Sequence, residues 1–456
     1  MNAKWKNSVL QQGWYRVHHV PFLGAFFLCL KFERSMVMGI LQELEFRGLI
    51  NQVTDREGLE EKLAKEMTPF YCGFDPTADS LHVGHLLVVM TMRRLQQAGH
   101  QPIPLVGGGT GLIGDPSGKK AERTLNEMSV VQDWSDRIKE QLSKFLDFEA
   151  PKNPAKMANN YDWLGGINVI DFLRDVGKYF PLNYMLAKDS VSSRLEAGIS
   201  FTEFTYMILQ SYDFLQLYRQ EGCRLQLGGS DQWGNITSGL ELIRKAGEEE
   251  RAFGLTIPLV TKSDGTKFGK TEGGAIWLDP EKTTPYEFYQ FWINTDDRDV
   301  MKFLKYFSFK SQEELDALQA EVAAAPEKRA AQKALAEELT ALVHGEAALQ
   351  QAVKISQALF SGQLSDLTGA EIEQGFKDVP SVDMATKEDI NIVDLLIASK
   401  VAPSKRQARE DVTNGAIYVN GERVQDLDAM VGESHRIDDR FIVLRRGKKK
   451  YFLLKY

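Results

Sequence analysis

The stretch PFYCGFDPTADSLHVGHLLVVMTMRRLQQAGHQPIPLVGGGTGLIGD, residues 69–115, decides the fold. Residues 70–74 are a short apolar run and read as a strand. Residues 82–98 carry apolar side chains at helical spacing and stop at Gly99. Residues 102–106 read as the next strand and run into Gly107, Gly108 and Gly109. Strand, helix and strand with short joints form a βαβ unit, which implies a parallel sheet. Ligands on such sheets gather at the carboxyl ends of the strands, where the glycine-rich turns fall here. Residues 169–173, 224–227 and 255–260 are read as further strands and flanking elements. The fold class is therefore α/β, with a Rossmann-like parallel-sheet domain.

Working outward, the text from about Pro285 is rich in Ala, Glu and Leu and predicts helices over 313–325 and 329–360. Residues 361–388 hold Gly, Ser, Asp and Pro with weak periodicity and read as a linker region. A compact α+β unit resumes at Asp389, with helices over 390–399 and from Ser404. Asn414-Gly415 and Asn420-Gly421 mark turns around short strands. The implied divisions are an N-terminal extension over 1–37, the Rossmann-like domain over 38–284, a helical domain over 285–360, the linker over 361–388, and a small unit over 389–456.

The chain has 456 residues, 43% hydrophobic and 26% charged, which excludes a disordered or collagen-like class. Cys29, Cys72 and Cys223 lie far apart with no C-x-x-C pair, which excludes a disulfide scaffold and a zinc ribbon and suits a reducing compartment. The net charge of −8 excludes a wholly basic nucleic-acid coat. Residues 389–456, however, hold 13 Lys and Arg against 10 Asp and Glu, and end in the run Arg445-Arg446-Gly447-Lys448-Lys449-Lys450. A basic tail behind an acidic body suits a polyanion, although a solvated charged face has the same composition. No apolar run reaches the roughly 18 residues of a spanning helix. Residues 20–30 mimic a signal-peptide core, yet Lys31-Phe32-Glu33-Arg34 follows where a small-residue cleavage site would stand. Residues 1–37 are read as an upstream extension, with a native start expected at Met36 or Met38.

Five short patterns carry chemistry. His82-Val83-Gly84-His85 lies at a strand-to-helix turn, where unpaired N–H groups suit phosphate and two imidazoles three apart can reach one ligand. Gly109-Thr110-Gly111-Leu112-Ile113-Gly114 matches a dinucleotide fingerprint, but Asp115-Pro116-Ser117-Gly118 follows at once. That argues for a longer loop that aims Asp115 into a pocket, where its carboxylate suits an ammonium. Tyr206, Gln210 and Asp213 share one stripe of a predicted helix, facing either solvent or a polar pocket. Gly228-Gly229-Ser230-Asp231-Gln232-Trp233-Gly234-Asn235 is a glycine-rich turn with polar groups suited to ribose hydroxyls. Lys267-Phe268-Gly269-Lys270-Thr271 resembles a P-loop ending, but Asp264 stands where its first glycine should be. What is left is a loop with two cations three apart, able to close on a triphosphate.

Taken in order, these stretches resemble the class I aminoacyl-tRNA synthetases, and among them the bacterial tyrosyl-tRNA synthetases. The resemblance runs from about Gly39 to the C-terminus. It rests on YCGFDPTADSLHVGH, GLIGDPSGK, NNYDW, GISFTEFTYMILQSYDF, GGSDQWGNITSG and TKSDGTKFGKTEGG. Against the generic class pattern, Val83 replaces Ile, and Phe268, Gly269 and Thr271 replace Met, Ser and Ser. The two His and two Lys stay.

The resemblance implies activation of L-tyrosine by ATP, with Mg2+ on the triphosphate and no metal held by the protein, then transfer to tRNA(Tyr). It implies a cytoplasmic homodimer with no membrane partner. Carried over by position, Tyr71 and Asp213 bind the phenol, and Asp115, Tyr206 and Gln210 hold the ammonium. Asp75, Asn160 and Gln232 line the tyrosine and adenylate site. Gly73, Gly84, Gly229 and Asp231 accommodate ATP. His82 and Thr77 bind phosphate oxygens in the transition state, and His85 belongs to the same motif. Lys119, Arg123, Lys267, Lys270 and Thr271 contact departing pyrophosphate. The unit after Asp389 resembles an S4 RNA-binding domain, which assigns Lys405, Arg406, Arg409, Arg445, Arg446, Lys448, Lys449 and Lys450 to tRNA. Two rivals stand beside this reading: an NAD-dependent oxidoreductase resting on residues 109–114, and a non-catalytic RNA-binding paralogue.

Overall fold

Among the described residues six strands build the central sheet: β1 (Gln52–Val53), β2 (Pro69–Phe74), β3 (Gln101–Val106), β4 (Ala158–Asn159), β5 (Leu225–Gly229) and β6 (Phe253–Ile257). Their order is β1-β6-β5-β2-β3-β4. β2 pairs in parallel with β3 on one side and β5 on the other, and only β1 runs antiparallel to its neighbour. The chain thus steps outward from β2 to β4, then returns to lay β5 against the other edge of β2. Connections leave in opposite directions at that boundary, so a crevice opens at the carboxyl ends of β2 and β5. The computed structural model describes residues 38–117, 125–192, 194–195, 198–263, 268–271, 274–377, 379–385, 387–447 and 450–456. The proposed extension over 1–37 lies outside them.

Strand alternation sorts the two faces. Phe70, Cys72 and Phe74 of β2 enter one core with α1 (Val83–Gln97), whereas Tyr71 enters another with α2 (Phe201–Glu221) and α3 (Trp233–Lys245). Helix α1 is buried nearly all round, because the helical section packs on its far side. Phe288, Trp292, Phe303, Leu304 and Phe307 share one continuous core with the sheet. Arg94 of α1 is buried there, stacks 4.3 Å over the Phe309 ring, and donates to the carbonyls of Tyr306 and Ser308.

Three sequence readings are corrected. Residues 169–173 form a helix (Val169–Asp175), not a strand. The Asn168 side chain caps it by accepting the Ile170 N–H at 2.9 Å, and no sheet neighbour competes. The helix expected over 329–360 is two, Ala330–His344 and Glu346–Ser361. Gly345 between them has φ +88°, outside any helix. The stretch 361–388 is no free linker. It holds the helix Gly369–Gly375, capped reciprocally by Thr368 and Glu371, and Leu364, Leu367, Ile372 and Phe376 pack against Phe441, Val443 and Leu453.

The remaining strands are β7 (Lys270–Thr271), β8 (Gly274–Ala275), β9 (Ser381–Asp383), β10 (Ile390–Asn391), β11 (Ile417–Val419), β12 (Glu422–Val424), β13 (Met430–Val431), β14 (Phe441–Arg446) and β15 (Lys450–Lys455). β7 and β8 form a hairpin, and five strands make the C-terminal sheet in the order β12-β11-β14-β15-β9. The Asn-Gly turn between β11 and β12 is as read: Asn420 and Gly421 have φ of 48° and 94°, both left-handed. Among the described residues no helix is long and apolar enough to cross a membrane.

Candidate active site

Asp75, just past β2, is the hub of the crevice. Its Oδ1 accepts the Thr110 hydroxyl at 2.6 Å and its Oδ2 accepts the Tyr206 hydroxyl at 2.7 Å. It thereby ties the end of β2 to the glycine loop and to α2. The loop is glycine-rich because its backbone lies against polar side chains. A Cβ on Gly107 would stand 1.9 Å from Asp75 Oδ1, and one on Gly108 would stand 2.3 Å from Asn159 Oδ1. A single 3-10 turn (Thr110–Leu112) follows, not an α-helix. A pyrophosphate therefore finds no helix N-terminus there, and the dinucleotide reading fails.

One end of the crevice is apolar. Asp213 on α2 is buried; its two oxygens accept N–H groups from Trp163 at 2.7 Å and Asn160 at 2.9 Å. Asn160 also donates to Thr110 Oγ1 at 2.8 Å and accepts the Gly109 N–H at 2.7 Å, which joins this end to Asp75. Burial pushes the Asp213 carboxyl up to about 8, against the pull of its two N–H donors. Tyr71 is buried beside it, with its ring 5.2 Å from Phe214, and its hydroxyl meets no hydrogen-bond partner among the described residues. Burial, with Asp213 nearby, holds the Tyr71 phenol well above its ordinary range, so it stays a donor. Burial also lifts the Cys72 thiol to about 12, which leaves a lining residue rather than a nucleophile.

The other end is polar. Gln232 donates to Asp115 at 2.7 Å and accepts from Gln210 at 3.1 Å. Asn235 donates to Gln210 at 2.9 Å, and Asp115 accepts the Ser117 N–H at 2.8 Å. The stripe Tyr206, Gln210 and Asp213 thus faces this pocket and not solvent. Gly229 and Asp231 sit at the mouth, where a Cβ on Gly229 would stand 2.5 Å from Asp231 Oδ1. Thr77 and Gly73 are exposed on the β2 side.

His82 caps α1: its Nδ1 accepts the Gly84 N–H at 3.0 Å, while His85 Nδ1 accepts the His82 N–H at 3.2 Å. Those bonds assign the proton of each neutral ring to Nε2. The rings stack at 4.0 Å and 22°, and burial with His82 alongside lowers His85 to about 3, so it is neutral at pH 7. Gly84 has no side chain because a Cβ there would stand 2.6 Å from the His82 ring.

The Lys-rich segment docks on this turn. The Val83 N–H donates to the Ile276 carbonyl at 2.9 Å and the Ile276 N–H to the Gly269 carbonyl at 3.0 Å. Gly269 has φ +75°, and a Cβ there would stand 2.6 Å from Val83. Phe268 anchors the segment among Phe291, Trp292, Phe303 and Phe307, at ring distances of 4.9 to 5.7 Å. Lys270 and Thr271 are placed by their backbone, in β7. Lys119, Arg123 and Lys267 lie outside the described residues.

Thr110 and Trp163 were given no role by sequence reasoning, and Asn235 only a place in a glycine-rich turn. Each stands inside a quoted stretch, but nothing local marks it as a partner of Asp75, Asp213 or Gln210. In the C-terminal unit Arg406 and Arg409 are exposed on one helix (Lys405–Thr413), whose Lys405 pairs with Asp394 at 2.7 Å. Arg445 stacks 3.8 Å over Tyr418. Arg446 pairs with Asp411 at 2.8 Å and donates to the Val401 carbonyl, so it also holds β14 to that helix. Lys450 is exposed in β15; Lys448 and Lys449 lie outside the described residues.

Comparison with known proteins identifies the family. The model for class I tRNA synthetases (W and Y) matches residues 63–361, and that for the tyrosine–tRNA ligase SYY-like C-terminal domain matches 371–454. Tyrosine–tRNA ligase 1 of Bacillus cereus (strain ZK / E33L) is 73% identical over 419 residues, 92% of this chain and 100% of the relative. The chain belongs to the tyrosine–tRNA ligase family. It is accordingly an enzyme of the class I synthetases. The tyrosine–tRNA ligase of Geobacillus stearothermophilus is 68% identical over the same shares. The crystal structure of a C-terminally truncated Aspergillus nidulans mitochondrial tyrosyl-tRNA synthetase superposes with a TM-score of 0.64 at 31% identity, covering 71% of this chain and 94% of that one.

The raised Asp213 pKa gives stability a pH dependence. Between about pH 4 and about 8 the folded state holds a proton that the unfolded state has lost, so this contribution falls as pH rises. Asp213→Asn should remove that slope. Urea midpoints at a series of pH values check it, and parallel curves for the two proteins would contradict the burial argument.

Proposed function

We propose that the chain, as a tyrosine–tRNA ligase, activates L-tyrosine with ATP in this crevice and transfers it to tRNA(Tyr). The observation that carries the proposal is one connected network. Asp213, Asn160, Thr110, Asp75 and Tyr206 run from the apolar pocket to the mouth, beside a histidine turn on which the lysine segment docks.

A phenol seated in the apolar end would donate to Asp213 and meet the unpartnered Tyr71 hydroxyl. Phenylalanine would leave these buried groups unsatisfied, at a cost of about 1–3 kcal/mol each. Asp115, with Gln232, Gln210 and Tyr206 around it, faces the ammonium. The carboxylate then attacks the ATP α-phosphorus; the new O–P bond forms as the bond to pyrophosphate breaks. Both reactants are anions, and no covalent enzyme intermediate is needed, so catalysis is orientation and donors aimed at developing charge. The two imidazoles offer Nε2–H groups to phosphate oxygens, and burial keeps His85 neutral. Thr77 serves the same oxygens. Gly73, Gly84, Gly229 and Asp231 leave room for adenosine. Lys119, Arg123, Lys267, Lys270 and Thr271 offset charge on pyrophosphate, and Mg2+ arrives on the triphosphate as part of the substrate.

Residues 389–456 bind tRNA through Arg406, Arg409 and the basic run of the β14–β15 turn, in a salt-dependent way. The parts 38–284, 285–360 and 389–456 serve catalysis, the anticodon side and RNA binding. The enzyme works in the cytoplasm as a homodimer. Support for the dimer is the exposure of large apolar side chains at Val169, Ile170 and Leu173 of one helix and at Leu182 and Phe201, the last 75% exposed.

Pyrophosphate exchange with each of the twenty amino acids tests the reading. Tyrosine alone should support it, and exchange driven by another amino acid would refute it. His82→Ala should slow adenylate formation by about a hundredfold or more and leave tyrosine binding by equilibrium dialysis unchanged; equal losses in both would contradict the role. Deleting 389–456 should spare exchange and impair tRNA charging, and normal charging would reject that unit's role. Ile170→Asp should shift sedimentation toward monomer, and an unchanged profile would remove this helix from the dimer.

A further inference from the structure

We infer that Gln141 is a positioning residue for adenylate formation, acting through the turn that carries His82; this rests on the reading of His82 above. Residues 75–82 join β2 to α1 outside the central sheet, so their peptide groups must find partners elsewhere. The stretch after β8 supplies some of them. The Leu278 N–H donates to the Leu81 carbonyl and the Val83 N–H to the Ile276 carbonyl, both at 2.9 Å, and His82 stands opposite Trp277 in an antiparallel bridge. One side chain supplies the rest. Gln141, on the helix Met128–Ser143, lies 60 residues from Leu81, and its Oε1 accepts the Leu81 N–H at 2.8 Å. Its Nε2 donates to Ser80 Oγ at 3.0 Å, and Ser80 Oγ donates to the Leu81 carbonyl at 2.8 Å. Ser80, Leu81 and Gln141 are all buried.

Each peptide group is a rigid plane. Gln141 fixes the plane between Ser80 and Leu81 by its N–H, while Ser80 and Leu278 fix the plane between Leu81 and His82 by its carbonyl. Together the two planes set where the His82 backbone stands. The ring is then aimed by its own bond to the Gly84 N–H, which leaves Nε2 for phosphate. An amide has both an acceptor and donors, and Gln141 uses both kinds here. An apolar side chain of the same length would leave the buried Leu81 N–H without a partner, and the turn would shift to find one. A small displacement of a reacting group is costly in rate. Asp213, Asn160 and Trp163, at the apolar end of the crevice, belong to other elements, so the loss should fall on the chemical step and spare tyrosine binding.

A double-mutant cycle of Gln141→Met with His82→Ala tests this, read as kcat and KM for tyrosine in pyrophosphate exchange. Gln141→Met should lower kcat about tenfold or more and leave KM for tyrosine within about twofold. In the His82→Ala background the same substitution should change kcat by less than about twofold. Gln141→Glu, which keeps an acceptor for the Leu81 N–H, should hold kcat within about threefold of wild type. An unchanged kcat in Gln141→Met, a rise in KM that matches the fall in kcat, or the same loss in both backgrounds would overturn the inference. Gln141→Leu, judged by the same outcomes, replaces a Met variant whose thermal unfolding shows it misfolded. If His82→Ala alone left kcat at the wild-type value, the reading of His82 and this inference would fall together. A slow His82→Ala enzyme without coupling to Gln141 overturns this one alone.

Discussion

The Asp75 carboxylate holds the site together. One oxygen takes the Thr110 hydroxyl and the other the Tyr206 hydroxyl, so the end of β2, the glycine loop and α2 are fixed to one rigid planar group. Everything downstream inherits that geometry. Thr110 receives Asn160, Asn160 reaches Asp213, and Asp213 stands beside Tyr71. The glycines of the loop follow from the same clamp, since any Cβ at Gly107 would occupy the place of the carboxylate. A hydrogen-bonded network of this kind is worth keeping only when each member is satisfied, and it fixes a unique arrangement when it is.

The electrostatics of the crevice follow from burial more than from charge. Tyr71 and Tyr206 are held as neutral donors, Asp213 is pushed toward the neutral acid, and His85 toward the neutral base. A site that must bring two anions together is thereby lined with oriented dipoles on its inner walls. The lysine segment docks beside these walls through backbone hydrogen bonds at Val83, Gly269 and Ile276. Phe268 gives that segment a fixed root among four aromatic rings, and φ +75° at Gly269 turns the chain away from it.

Local patterns were legible where one element carried its own signal. Strands β2 and β3, helix α1 and the Asn420-Gly421 turn stand where spacing and turn chemistry put them. Residues 169–173 were misread because a run of five apolar and acidic residues fits either period, and the deciding group, the Asn168 cap, lies outside the run. Gly345 was passed over because a single glycine inside an Ala-rich pattern is tolerated in many helices. The stretch 361–388 looked like a linker because its apolar residues are spaced for contact with β14 and β15, which arrive some seventy residues later.

By itself, the sequence determined the parallel-sheet class, the histidine turn, the lysine segment and the family, since each depends on residues close together along the chain. The tertiary structure alone decided that Thr110, Trp163 and Asn235 complete the site, and that the stripe on α2 faces a pocket rather than water. It alone brought Gln141 to the turn that carries His82. The reason is physical: hydrogen bonds such as Tyr206 to Asp75 join residues 131 apart, and their partners are chosen by strand order and register, which no local pattern encodes.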